Sequence, residues 1–200
     1  MADHYYSKSP VVKSDRQIHE TVLRNYKLRF ATDKGVFSKS GIDYGSRVLV
    51  EALELAPGAS VLDVGCGYGA IGITAAKLNP AGHITMIDIN ERAVQLAQDN
   101  AVLNEVSNVT VLQSDLYEQV KDRTYDVIVT NPPIRAGKSV VHRIFEEGAG
   151  LLRPGGCMWV VIQKKQGAPS AEAKLNTLFD RVDEMTKDKG YRIFRSVKDA

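Results

Sequence analysis

The stretch SVLDVGCGYG (residues 60–69) decides the fold. Aliphatic and β-branched residues up to Val64 give way at once to Gly65, Gly67 and Gly69, and apolar residues then recur at helical spacing over 71–78. A strand, a glycine turn and a helix in immediate succession form the opening unit of a parallel sheet. Glycines at such a turn let a ligand lie directly on backbone, at the carboxyl edge of the sheet where these folds bind ligands. A dinucleotide loop would read G-x-G-x-x-G and rest its pyrophosphate on the helix N-terminus. Here the spacing is G-x-G-x-G, and Asp63 precedes it, a charge poorly placed beside a diphosphate. That departure points away from a nicotinamide enzyme and toward a ligand carrying a positive group.

Working outward, short β-branched runs near 84–88, 109–113, 126–130 and 157–162 alternate with helical patterns over 93–103 and 140–152. Such alternation predicts a Rossmann-like, doubly wound α/β fold around a mostly parallel sheet. In the tail, Ser170 reads as the cap of a helix over 171–179, followed by strands 182–187 and 191–197 about the turn DKG (188–190). A continuous helix to residue 189 is the rival. Ahead of residue 60, segments 16–24 and 26–31 read as an antiparallel pair, and 44–55 as an amphipathic helix ended by Pro57-Gly58. Residues 1–200 are expected to form one domain, with a hairpin-and-helix extension over 1–58 and a ligand-binding core over 59–200.

The totals agree with that plan. Two hundred residues, 44% hydrophobic and 25% charged, supply one sizeable core. The opening residues contain no apolar leader-like run, and no segment is apolar for the length of a membrane helix, so the expectation is a cytoplasmic protein with no membrane partner. Cys66 and Cys157 lie in apolar segments at no metal-ligand spacing, which favours small buried hydrophobes over a disulfide or a metal site. The net charge is only +2, but the first 47 residues carry nine Lys/Arg against five Asp/Glu. That basic front end could hold a phosphate backbone, or simply be a solvated hairpin.

Two further carboxylates fall at the same sheet edge. Asp88 ends the second core strand, where an acidic side chain can accept from both ribose hydroxyls, although it could equally cap the next helix with Asn90 and Glu91. Asp115 follows the third strand and could accept from an adenine amine. Asp63, Asp88 and Asp115 at three consecutive strand ends beside one glycine loop make a nucleoside cradle.

With these motifs the chain resembles a class I S-adenosylmethionine-dependent methyltransferase over residues 35–197. The resemblance implies S-adenosylmethionine as cofactor, a last strand antiparallel between the fifth and sixth, and a cofactor surface from Asp63, Gly65, Gly67 and Gly69. It places Asp88 on the ribose and Asp115 on the adenine amine, with Ile89 and Leu116 beside them. Asn131-Pro132-Pro133, directly behind the strand at 126–130, resembles the motif of amino-directed methyltransferases. Methyl transfer is an in-line displacement, so the task is to place a nucleophilic nitrogen opposite the leaving sulfur. Two acceptors, the Asn131 side-chain carbonyl and the Pro132 backbone carbonyl, would orient the amine and stabilise its developing charge. On this reading Asn131 also touches the cofactor.

A narrower resemblance spans the chain: Tyr5-Tyr6-Ser7, GVFS (35–38), GIDYGS (41–46) and Asn131-Pro132-Pro133 are similar to the small-domain methyltransferases. It implies an exocyclic amine of RNA as target, guanine in ribosomal RNA above all, with Phe37 and Ser38 closing the pocket at the methionine end. Pro133, Ile134, Arg135 and Lys138 then fall on the substrate side, with the last two and the basic residues of 8–47 meeting phosphates. Ile134 stands where most members have an aromatic, so stacking would pass to Phe37, Tyr44 or another ring. The rivals are a protein-glutamine amide methyltransferase, and a cofactor-binding protein in which Asn131 only caps a strand.

Overall fold

The computed structural model describes residues 6–38 and 40–200. Residues 1–4, Tyr5 of the family-like opening and Lys39 of the basic segment lie outside them. The chain opens on a hairpin, β1 (Gln17–Leu23) against β2 (Tyr26–Thr32), and then α1 (Tyr44–Ala52). The core follows as β3 (Ser60–Val64), α2 (Ala70–Leu78), β4 (His83–Asp88), α3 (Glu91–Leu103), β5 (Val109–Gln113) and β6 (Tyr125–Thr130). It continues with α4 (Lys138–Leu151), β7 (Leu152–Gln163), α5 (Ala168–Leu178), β8 (Arg181–Asp188) and β9 (Tyr191–Val197). Single 3-10 turns at Ile134–Ala136 and Lys164–Gln166 precede α4 and α5.

The sheet has seven strands in the order β5-β4-β3-β6-β7-β9-β8, with β9 antiparallel to both neighbours and the other described pairings parallel. This is the Rossmann-like methyltransferase arrangement that the sequence implies. Its order reverses between β3 and β6, the crevice where open α/β sheets bind ligands. Buried on both faces, the central strands are near-continuous apolar runs rather than alternating ones. Val127 and Val129 of β6 face the cluster formed with α1, α2 and α3, whereas Ile128 faces the cluster of Ile144, Phe145 and Leu175 from α4 and α5.

The N-terminal extension is knitted into the first cluster. Leu23, Leu28 and Phe30 of the hairpin are buried there, and the Phe30 ring meets Tyr68 of the glycine loop at 5.7 Å between centroids. Two buried asparagines on α3 also read the β2 backbone as a neighbouring strand would. Asn100 accepts from the Ala31 N–H and donates to the carbonyls of Ala31 and Tyr68. One turn on, Asn104 accepts from the Arg29 N–H and donates to its carbonyl.

Three boundaries differ from expectation. α1 stops at Ala52 rather than residue 55, because Leu53 is buried in extended backbone while the Arg24 guanidinium donates to the carbonyls of Val50 and Leu53. α5 begins at Ala168 under Gly167, which takes φ 104°, so Ser170 lies inside the helix and is not its cap. Pro169 sits in the first turn, where a missing N–H costs nothing. The last two strands form as expected instead of a long helix, and β7 starts earlier, at Leu152, through an irregular register opposite β6.

Candidate active site

The ends of β3, β4 and β6 and the segment before α1 surround a cavity of about 560 Å³. That size suits a small-molecule or cofactor site. The glycine loop forms its floor: the N–H groups of Gly65 and Cys66 both donate to the Ile87 carbonyl at the end of β4. Gly65 (φ 71°) and Gly67 (φ 55°) have left-handed backbone and open space where a Cβ would stand, so the loop leaves room for a ligand against its main chain. Gly69 does different work. It precedes α2 with φ 99°, and a Cβ there would press on Ile73 and Ala97.

Asp88 holds the loop and the helix that follows. One carboxylate oxygen accepts from the Gly67 N–H (2.8 Å), the other from the Asn90 N–H (2.8 Å). Asn90, not Asp88, caps α3, accepting from Arg92 and Ala93. Burial pushes the Asp88 carboxyl up to about 6, against the pull of the Asn90, Gly67 and Ile89 backbone donors. Asp63 is 1% exposed beneath the loop, where one oxygen accepts from the Gly72 N–H (2.9 Å) and the other has no hydrogen-bond partner. Burial, reinforced by the charge of Asp88, pushes Asp63 up to about 7.

At the far wall, Thr130 closes β6 by donating its hydroxyl to the Val64 carbonyl, and Asn131, Pro132, Pro133 and Ile134 line the cavity. Pro133 uses its carbonyl in the following 3-10 turn, accepting from Ala136, while Pro132's lies outside that turn. Neither proline can donate to a ladder, which ends the strand. The Asn131 amide nitrogen donates to Asp43 Oδ2 (3.2 Å) and to Ser46 Oγ (3.1 Å).

Of the residues singled out in the sequence, Phe37, Ser38, Gly65, Gly67, Asp88, Ile89, Leu116, Asn131, Pro132, Pro133, Ile134 and Arg135 meet at this cavity. Asp63, Gly69, Asp115 and Lys138 do not line it. Asp63 is under its floor, and Asp115 is exposed at its rim, close enough to raise the Tyr6 phenol, whose pKa burial already lifts. Lys138 is exposed at the start of α4.

Tyr6, Asp43 and Tyr191, which have no role in the sequence expectation, also line the cavity. Asp43 carried a usable signal, an Asp just before a helical pattern, and it caps α1 by accepting from the Ser46 N–H. Tyr191 carried none, because β9 is brought to the cavity by tertiary pairing. Tyr44 packs on Tyr191 at 5.9 Å, and the ring that reaches the cavity is Tyr191. Ile134 is half-buried against the α4 side of the core.

Comparison with known proteins agrees with this geometry. A model of the methyltransferase small domain matches residues 27–195. The uncharacterized protein YbxB of Bacillus subtilis (strain 168) is 50% identical over 99% of this chain and 100% of its own length. The ribosomal RNA small subunit methyltransferase C of Vibrio cholerae is 32% identical over 92% of this chain. Among solved structures, the T. thermophilus 16S rRNA N2 G1207 methyltransferase, in complex with AdoMet and guanosine, superposes with a TM-score of 0.83 at 27% identity, covering 94% of this chain. The chain spans about half the length of these two ribosomal RNA methyltransferases, 52% of each.

Fold and cavity together define an S-adenosylmethionine-dependent methyltransferase. More particularly, the chain belongs to the methyltransferase small domain family.

Proposed function

We propose that this protein methylates an exocyclic amino group of a base in ribosomal RNA, guanine before the others. The observation that carries this reading is the meeting of Asn131 and Pro132 with the glycine loop and Asp88 in one cavity. The kinship with enzymes named for ribosomal RNA, one of them for N2 of a guanine, supports the substrate class.

S-adenosylmethionine, when bound, supplies a methyl group on a sulfonium carbon. Asp88, whose two oxygens keep acceptor capacity beyond their backbone donors, would hold the ribose hydroxyls. Leu116 and Ile89 would cover the adenine, Asp115 would accept from its amine at the rim, and Phe37 and Ser38 would close the methionine end. Asp63 acts from beneath, holding Gly72 at the start of α2. On the substrate side the base enters past Pro133 and Ile134, with Arg135 toward its phosphates and Lys138 farther along the strand.

The chemistry these residues perform is placement. A conjugated amine is a poor nucleophile because its lone pair is delocalised. Asn131 Oδ1 and the Pro132 carbonyl accept its two N–H bonds, turn the lone pair toward the methyl and stabilise the positive charge as it develops. The methylated amine is then acidic and gives its surplus proton to solvent. Ile134 offers no π face, and the aromatic rings at the cavity are those of Phe37, Tyr6 and Tyr191.

The test is incubation with undermodified ribosomal RNA and labelled cofactor, followed by nucleoside mass analysis. Label in N2-methylguanosine is the expected result. Transfer to a glutamine-containing peptide and to no RNA would replace this reading.

A further inference from the structure

We infer that Asp43 and Ser46 are positioning residues that fix which end of the Asn131 amide faces the substrate. The inference rests on the reading of Asn131 as acceptor for the target amine. An asparagine amide is planar, its oxygen and nitrogen ends are nearly the same size, and a half-turn exchanges an acceptor for two donors. Strand β6 and the two prolines set where Asn131 stands, but nothing in them selects an end. With its nitrogen toward the cavity, Asn131 would oppose the N–H bonds of an amine with donors of its own.

The selection comes from α1. Asp43 Oδ2 lies 3.2 Å and Ser46 Oγ 3.1 Å from the Asn131 nitrogen. A carboxylate only accepts, so it can face the nitrogen end alone, and both amide hydrogens are then engaged on this side. The oxygen end is thereby turned away from α1. Asp43 is itself held, because the same Oδ2 takes the Ser46 backbone N–H at 3.1 Å in capping the helix. Gly45 makes the arrangement possible. A Cβ there would stand 2.8 Å from the Tyr191 ring and 3.1 Å from Asp43 Oδ2, so only glycine lets both approach. The N-terminus of α1, outside the cofactor-binding core, therefore completes the acceptor.

The variants separate this role from helix capping. Asp43→Ser keeps a good N-cap but is too short to reach Asn131, whereas Asp43→Asn keeps an oxygen for both partners. On undermodified ribosomal RNA, Asp43→Ser should lower kcat by roughly ten- to a hundredfold, with S-adenosylhomocysteine affinity by calorimetry and the melting temperature nearly unchanged. Asp43→Asn should restore most of the loss. In an Asn131→Ala background, Asp43→Ser should cost nothing further. An equal loss in that background, or no rescue by Asp43→Asn, would overturn the assignment.

A second readout needs no RNA. Sinefungin carries an amine where the cofactor carries its sulfonium methyl, so its affinity relative to S-adenosylhomocysteine reports an acceptor at Asn131. Asp43→Ser should reduce that ratio about five- to tenfold. An unchanged ratio overturns the inference. A reduced ratio in a protein that methylates no RNA sustains it and removes only the RNA reading.

Discussion

Asp63 and Asp88 are both acidic residues at strand ends, yet their surroundings divide their work. Asp88 lines the cavity and keeps three backbone donors, whereas Asp63 is sealed beneath the glycine loop with one. If Asp88 accepts charge-assisted bonds worth about 1.5–3 kcal/mol, Asp88→Asn should weaken cofactor binding roughly tenfold or more in calorimetry. The carboxylate is the accepting form and the group titrates at about 6. Wild-type affinity should therefore climb between pH 5 and 7.5, and the Asp88→Asn profile should be flat. Asp63 works in the opposite sense on stability. Its folded pKa, about 7, exceeds its ordinary value, so its contribution is full in acid and is lost as pH rises through about 7. Asp63→Asn should raise the cofactor-free melting temperature at pH 8 by roughly 5 °C and by less than half as much at pH 5, as scanning calorimetry would show.

Among elements, α3 has the least obvious task, since it packs on the sheet and also acts as a surrogate strand for β2. Asn100 and Asn104 are one helical turn apart, the spacing that brings both to the same edge of the hairpin. Replacing Asn100 by Ala strips partners from the Ala31 N–H and from the carbonyls of Ala31 and Tyr68, at about 1–3 kcal/mol for a buried group left unpaired. A fall in melting temperature of roughly 4–10 °C is expected, with faster hydrogen exchange at Ala31. Unchanged exchange there would mean that the hairpin is held by its apolar side chains alone. The core strands are plain in the sequence, because burial on both faces demands uninterrupted apolar runs. The asparagine clamp is not, since an Asn in a helical pattern reads as a surface residue until the strand beside it is known. The boundaries of α1 and α5 depart from the sequence pattern for a related reason: distant Arg24 and buried Leu53 end one, and Gly167 starts the other ahead of Ser170.

For the molecule as a whole, the hairpin, α1 and the sheet share one apolar cluster. Thermal unfolding should accordingly be a single transition by near- and far-ultraviolet dichroism. Cofactor at a hundred times its Kd should raise the midpoint by roughly 5–10 °C, the equivalent of about 2.7 kcal/mol. A separate early transition of the hairpin would show that the extension folds independently.

Local order along the chain is enough to establish the doubly wound sheet, the glycine loop and the acidic strand ends, because strand and helix periods and glycine spacing are properties of neighbouring residues. The same order marks Asn131-Pro132-Pro133 as a strand end with acceptors to spare. It could not separate Asp88, at the cavity, from Asp63 beneath it and Asp115 at its rim, since all three fall within two residues of a strand end. Nor could it join Asp43 and Ser46 to Asn131, 88 and 85 residues away. Those assignments depend on burial and on hydrogen bonds between distant segments, which exist only once the extension has packed against the sheet.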